Sequence, residues 1–275
     1  MDRLEGQLAK VEEGFSEVVR GIPLQAASPL PADWLRCEML ERYQVLRSVR
    51  LDRGTRILEV GSGGHAIATV PLAYGVGPRG RVVAVERERW TAFRAVIEAS
   101  RMQDRVLPVG CDARKLPFPT ESFALAACVH AIRSLRSEEN MVEIFREMLR
   151  VAPRIALVES LPIAQTPAQR AHMAMYDLRE EFFEATTGAK DDLHYLPLED
   201  LSRLVERAGG KVEDSRILEI DLPHALAFFP RAYLERVPDP GLRKDLCRRW
   251  DSADRLRQEH GTDHPPVALL TAKRG

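Results

Sequence analysis

Cysteine is scarce in this 275-residue chain and never paired: Cys37, Cys111, Cys128 and Cys247 are scattered, with no CxxC among them. A structural zinc site is therefore not expected, and no metal ligand set stands out. Reduced thiols fit a reducing compartment, so a cytoplasmic location is expected. No apolar run reaches the length of about 18 residues that a membrane span needs. The N-terminal stretch MDRLEGQLAKVEEG is too charged for a secretory signal. Neither sign of charge is in excess: 40 Lys and Arg stand against 41 Asp and Glu, a net charge of -1. Without a basic bias, nucleic acid is not expected as a partner. Apolar residues make up 45% of the chain, enough for one substantial core.

What is present is a βα alternation. It is preceded by a helical N-terminal segment. Leu4, Leu8, Val11, Phe15 and Val18 recur at helical spacing, which predicts a helix from Met1 to about Arg20. The stretch IPLQAASPLPAD reads as a Pro-rich loop. A second helix is expected from about Asp33 to Arg50, with Leu35, Met39, Tyr43 and Leu46 on one face. From Arg56 the strands ILEV, RVVAVE, RVLPVG, FALAACV and RIALVES alternate with helical segments, the pattern of a doubly wound parallel sheet. Pro71 is expected to kink or shorten the first of these helices. Ser137 is placed to cap the helix after the fourth strand. Thr166, Pro167 and Gln169 form a helix start of cap, N1 proline and capping-box glutamine. That helix is expected to run to about Ala185. A helix at about Leu198 to Ala208, a sixth strand at about Lys211–Ile220, a helix opened by Asp239 and Pro240 and a final strand PVALLTAKR complete the chain, with an antiparallel return allowed by the long last connection.

The stretch RILEVGSGGHAIA, Arg56 to Ala68, organises the rest. It runs strand, glycine turn, helix, and ligands in open α/β sheets bind at that strand end. Gly61, Gly63 and Gly64 let backbone approach a ligand with no Cβ between. Ser62 and His65 lie in the same turn. Three acids follow three successive strands: Glu59, Glu86 and Asp112. Glu59 is placed to hold the turn or an ammonium group. Glu86 is placed to accept from two ribose hydroxyls. Asp112 is placed to accept from an adenine amino group, with the Ala113 N–H donating to the ring and Arg87 stacking on it.

This pattern resembles the class I S-adenosylmethionine-dependent methyltransferases, in their small-molecule branch. ILEVGSGG is similar to the first motif of that family, VVAVE to the second, GCDARKLPF to the adenine motif and FALAACVHAIRSL to the fourth-strand motif. The resemblance implies S-adenosylmethionine as cofactor and an α/β, doubly wound, Rossmann-like, seven-stranded sheet in the order 3-2-1-4-5-7-6, with the last strand antiparallel. It implies a helical segment or lid over residues 1–50 and a methyltransferase domain over 51–275, with a lid insertion at about 161–197. His65 stands where the family has a third glycine. A nicotinamide-binding turn is the rival: Gly61, Gly63 and Ala66 fit G-x-G-x-x-G/A, with Glu86 about 20 residues on. The charge of Glu59 beside a pyrophosphate, and the added acid Asp112, speak against it.

The acceptor of the methyl group is expected near the fourth strand end, where Cys128 and Val129 adjoin the cofactor. No Asn-Pro-Pro-Tyr type sequence occurs there, which argues against amide or base-amine nitrogens. The expected acceptor is a small molecule reacting at oxygen, nitrogen or carbon, bound by a monomer or homodimer. His130 is the candidate general base; packing against the cofactor is its other role. Arg133 is placed to hold an anionic substrate. His172, Tyr176, His194 and Tyr195 fall in the segment after strand five that covers the acceptor in the family. Met173 and Met175 read as core. Cys37, Cys111 and Cys128 would bind a metalloid only if they converged; small buried cysteines explain them as well. A cofactor-binding module without catalysis is the alternative outcome.

Overall fold

The computed structural model describes residues 3–22, 34–87, 90–161, 163–188, 194–220, 222 and 230–275. The Pro-rich stretch after Ile22 lies outside the described residues, as do Glu88 and Arg89. Sequence and structure agree on a seven-stranded sheet in the order 3-2-1-4-5-7-6. The strands are β1 (Arg56–Val60), β2 (Arg81–Glu86), β3 (Val106–Gly110), β4 (Leu125–Val129), β5 (Arg154–Ser160), β6 (Gly210–Leu218) and β7 (Val267–Arg274). β1 to β5 run parallel, and β7 pairs antiparallel with both β5 and β6. β6 carries a register shift between Val212 and Asp214.

Nine helices are described: α1 (Arg3–Leu8), α2 (Glu13–Gly21), α3 (Trp34–Leu46), α4 (Thr69–Val76), α5 (Trp90–Ala99), α6 (Glu138–Val151), α7 (Pro167–Thr187), α8 (Leu198–Arg207) and α9 (Pro240–His260). Alternation along each strand splits the core into two layers. Ile57, Val82, Ala84, Ala127 and Val158 pack with residues of α2 to α5. Leu58, Val83, Val85, Cys128 and Leu157 pack with α6 and α8. A third cluster joins α7 to α9 through Met175, Leu178, Phe182, Leu246 and Ala253. No described helix is long and apolar enough to cross a membrane.

Two expectations about helices are corrected. The N-terminal helix is two helices, not one. Ser16 Oγ donates to the Leu8 carbonyl at 3.1 Å, which closes α1; α2 then turns so that Phe15 stacks on Tyr43 at 3.9 Å. The helix after the glycine turn begins only at Thr69. Ala66 has φ +52°, which no helix accepts. Pro71 consequently sits in the first turn, where its missing N–H would have had no helical partner, and no kink is needed. Cys37 lies with the N-terminal helices, whereas Cys111 and Cys128 pack in the other layer, so the three thiols do not converge.

The expected caps form. Ser137 Oγ accepts from the Asn140 N–H at 3.3 Å. Thr166 and Gln169 form a reciprocal capping box, and α7 ends on Gly188 in the left-handed conformation. Asp239 caps α9 through the Leu242 N–H at 2.6 Å.

Candidate functional site

The C-terminal ends of β1 to β4 open into a cleft of about 460 Å³. Its floor is the glycine turn. The N–H groups of Gly61 and Ser62 both donate to the Val85 carbonyl of β2, at 2.9 and 3.1 Å. Gly61 has φ +75°, and a Cβ there would stand 2.5 Å from the Ala131 Cβ. Glu86 locks the turn from the side: one carboxylate oxygen accepts from the Gly63 N–H at 3.1 Å, the other from the Arg87 N–H at 2.8 Å. A carboxylate has capacity beyond those two bonds, so Glu86 still faces the cleft as an acceptor.

Of the candidate cofactor residues, Gly61, Gly63, Glu86, Arg87, Asp112, Ala113 and Cys128 line this cleft. Glu59, Ser62, Gly64, His65 and Val129 do not. Glu59 is buried and accepts from Thr69 Oγ1 at 2.6 Å, so it anchors the start of α4 beneath the turn. Burial pushes its carboxyl up to about 7, against the pull of the Thr69 hydrogen bond. Ser62 is buried as well, and its hydroxyl has no hydrogen-bond partner among the described residues. The Val129 side chain belongs to the apolar core.

Asp112 meets a neighbour that the sequence did not single out. Both of its oxygens are held by the Arg114 guanidinium, the closest contact at 2.6 Å, and the Arg114 N–H adds a bond at 2.9 Å. These bonds hold the Asp112 carboxyl down at about 2. The pair is nearly half exposed, so water screens it. An adenine amino group would have to share Asp112 with Arg114.

A second, smaller cavity of about 80 Å³ lies at the ends of β4 and β5. Arg133, His172, Tyr176 and Tyr195, four residues singled out for the acceptor, meet in its wall. His194 contributes through its backbone, its N–H donating to the Arg133 carbonyl at 2.6 Å. Met173, expected in the core, lines the cavity, whereas Met175 is core. The rest of the wall was not anticipated: Glu38 and Arg42 from α3, Ser160 from β5, Arg179 from α7, and His264.

His130 stands between the two spaces. It lines the cleft, yet its ring is bound on both sides. Nε2 lies 3.2 Å from Glu41 of α3, and Nδ1 lies 3.1 Å from Ser160 Oγ of the cavity wall. Its backbone takes φ +52°, an uncommon conformation for a residue with a side chain. Burial, then the nearby Arg42 guanidinium, pushes the imidazole down to about 3. Burial would raise Glu41, but Arg42 and His130 outweigh it and hold that carboxyl at about 2.

Residues 58–154 match the family described as a methyltransferase domain. Over that stretch the chain is similar to that family, and its sheet has the strand order the resemblance implies. The cofactor of that family is S-adenosylmethionine. Solved structures agree on the fold. A cyclopropane-fatty-acyl-phospholipid synthase-like protein from Lactobacillus casei superposes with TM-score 0.67 at 15% identity, over 96% of this chain and 100% of that one. An S-adenosylmethionine-dependent methyltransferase from Aquifex aeolicus matches with TM-score 0.50 at 16% identity, over 77% of this chain and 94% of its own. The [4+2]-cyclase SpnF matches with TM-score 0.51 at 17% identity, over 86% and 80%. At such identities the likeness concerns the fold, and one fold hosts several chemistries. No curated protein matches this chain significantly by sequence.

The residues of the cleft fit that cofactor. The cleft has the size of a small-molecule site, a bare backbone turn where a Cβ would clash, and acceptor carboxylates at the ends of β2 and β3. Glu59 gives a separate, testable consequence. Its folded pKa lies above the ordinary 4.5, so the native state holds the proton more tightly. The resulting stabilisation is complete below pH 4.5 and is lost as pH rises through about 7. Glu59→Gln should lack this slope. Wild type should lose on the order of 3 kcal/mol relative to the variant across that window, read from urea midpoints at a series of pH values.

Proposed function

We propose that this protein is an S-adenosylmethionine-dependent methyltransferase whose acceptor is a small molecule reacting at oxygen, nitrogen or carbon. The observation that supports it is a hydrogen bond that links two spaces: His130 lines the cofactor-sized cleft, and its partner Ser160 lines the small polar cavity. When bound, the cofactor supplies an electrophilic methyl group on a sulfonium. The chain's own residues bind and align. Glu86, which holds the Gly63 N–H, would accept from the ribose hydroxyls. Asp112 and the Ala113 N–H would meet the adenine. Cys128, Ala131 and Ile132 line the same cleft. α3 and α7 contribute to the wall of the small cavity, and as lids they would cover an acceptor bound there. Methyl transfer is an in-line displacement, so holding the two reactants close and aligned supplies much of the acceleration.

His130 is not a free base in this arrangement, because both ring nitrogens are engaged and its pKa is depressed. That favours an acceptor that is already nucleophilic, and it also keeps alive a second reading, a cofactor-binding module without methyl transfer.

Binding is tested by thermal unfolding with S-adenosylmethionine, S-adenosylhomocysteine or NAD(H). At a hundred times Kd a ligand adds about 2.7 kcal/mol, which raises Tm by roughly 5 °C or more for a chain of this size. A shift with NAD(H) alone, or none with millimolar S-adenosyl compounds, would falsify the proposal. Glu86→Ala should weaken S-adenosylhomocysteine binding roughly 10- to 100-fold, the value of hydrogen bonds to a charged group. Turnover against an acceptor panel separates the enzyme from the silent module.

A further inference from the structure

The hydrogen-bond directions around the small cavity are determined by its buried ionic group. Arg42 pairs with Glu38 at 2.7 Å and with Glu41, and all three side chains are buried. Glu41 is therefore an ionised acceptor, and His130 Nε2 must carry the proton that it accepts. Because the imidazole is neutral, Nδ1 is bare. Ser160 Oγ–H must then donate to Nδ1, at 3.1 Å. The lone pairs of Ser160 are what remain for the cavity, and one receives a long bond from Arg133 at 3.4 Å.

The cations of the wall differ in their engagement. Arg42 is held by two carboxylates. Arg179 pairs with Glu180 at 2.8 Å and lies 4.7 Å over the Tyr176 ring. The Arg133 guanidinium makes no ion pair among the described residues; its side-chain hydrogen bond there is the long one to Ser160, and its charge also acts on the buried Glu159 carboxyl. It is half-buried and faces the cavity.

We propose that this cavity is the methyl-acceptor site and takes a small carboxylate that also carries an O–H or N–H group, with Arg133 on the carboxylate and Ser160 Oγ accepting from the O–H or N–H. The inference rests on the methyltransferase reading above. Size agrees: a water needs about 10–15 Å³ of such space, so 80 Å³ holds roughly five to eight non-hydrogen atoms. Sign agrees as well. The ionised Glu38 in the same wall opposes a dianion such as phosphate, while a single carboxylate suits one guanidinium fork. Ser160 and Arg133 thus demand two different groups on one molecule. A hydroxy acid or an amino acid presents both. The amino acid, bound with its amine neutral, is the one that is already nucleophilic: its methylated product keeps the proton as an ammonium, whereas a hydroxyl would need a base that His130 does not supply. Ser160 is the wall residue bonded to His130, which lines the cofactor cleft.

The test uses matched probes on the full chain saturated with S-adenosylhomocysteine, read by calorimetry. Lactate carries both groups, propionate lacks the hydroxyl, and lactamide lacks the charge; glycine and sarcosine are the nitrogen counterparts. At least one of lactate, glycine and sarcosine should bind. Its deoxy or deamino analogue and its amide should each bind at least about tenfold more weakly, the worth of one hydrogen bond to a polar or charged group. Arg133→Gln should erase the preference for the acid over the amide. Ser160→Ala should erase the preference for lactate over propionate, or for glycine over acetate. The inference is overturned if acid and amide bind alike, or if S-adenosylhomocysteine binds and none of the acids does at millimolar concentration. If S-adenosylhomocysteine itself does not bind, the methyltransferase reading has failed instead. The comparison within wild type stands even where a variant does not fold.

Discussion

Arg42→Met is expected to cost about 3–5 kcal/mol of stability, read as a lowered urea midpoint at unchanged slope. Arg42 is buried between Glu38 and Glu41, which are buried with it. Removing the guanidinium leaves two carboxylates in an apolar layer. Each must then take up a proton or admit water, and either is expensive. The damage spreads to the site, because Glu41 no longer stays ionised to hold His130 Nε2–H. Neutralising the whole group tests the cause. Glu38→Gln and Glu41→Gln combined with Arg42→Met should recover a large part of the loss, since breaking a buried ionic group is worse than replacing it entirely. An Arg42→Met midpoint within about 0.5 kcal/mol of wild type would mean that these charges are not buried as described.

Gly61→Ala should lower affinity for S-adenosylhomocysteine on the order of a hundredfold, or about 2.7 kcal/mol. Two effects add. Gly61 sits at φ +75°, where a side chain costs about 1–2 kcal/mol. The new Cβ would also stand 2.5 Å from the Ala131 Cβ, so the turn or the end of β4 must move. Both lie in the floor of the cleft. Gly63→Ala separates the two effects: Gly63 has φ +65°, but a Cβ there meets nothing within 4 Å. That variant should pay the conformational strain alone and lose much less affinity. Equal losses in the two variants would refute the steric account.

Much of the scaffold was readable from local chemistry. The strand runs, the Ser137 and Asp239 caps and the Thr166–Gln169 capping box all depend on neighbours within four residues. The glycine turn and the acids at the strand ends were readable for the same reason. What escaped was anything decided by depth. For Glu59 the sequence left open the turn or an ammonium group, and its burial beneath the turn, on Thr69, decides for the turn. Arg114 gave one weak signal, an arginine two residues after an acid, but its fork on Asp112 is a side-chain choice. In α3 the stripe Leu35, Met39, Tyr43 and Leu46 is buried as its spacing implies. The polar face of that helix is buried too, which no periodicity announces.

The amino-acid order by itself determined the βα alternation, the turn at Gly61–Gly64 and the kind of ligand a chain of this pattern resembles one for, because each follows from backbone preferences and contacts along the chain. Tertiary structure alone decided that Glu41 of α3 would meet His130, 89 positions later, and that Ser160, 30 positions further on, would close the row. Those pairings arise when helix and sheet pack and expel water. A charged group removed from water must find its partner across space, wherever in the chain that partner lies.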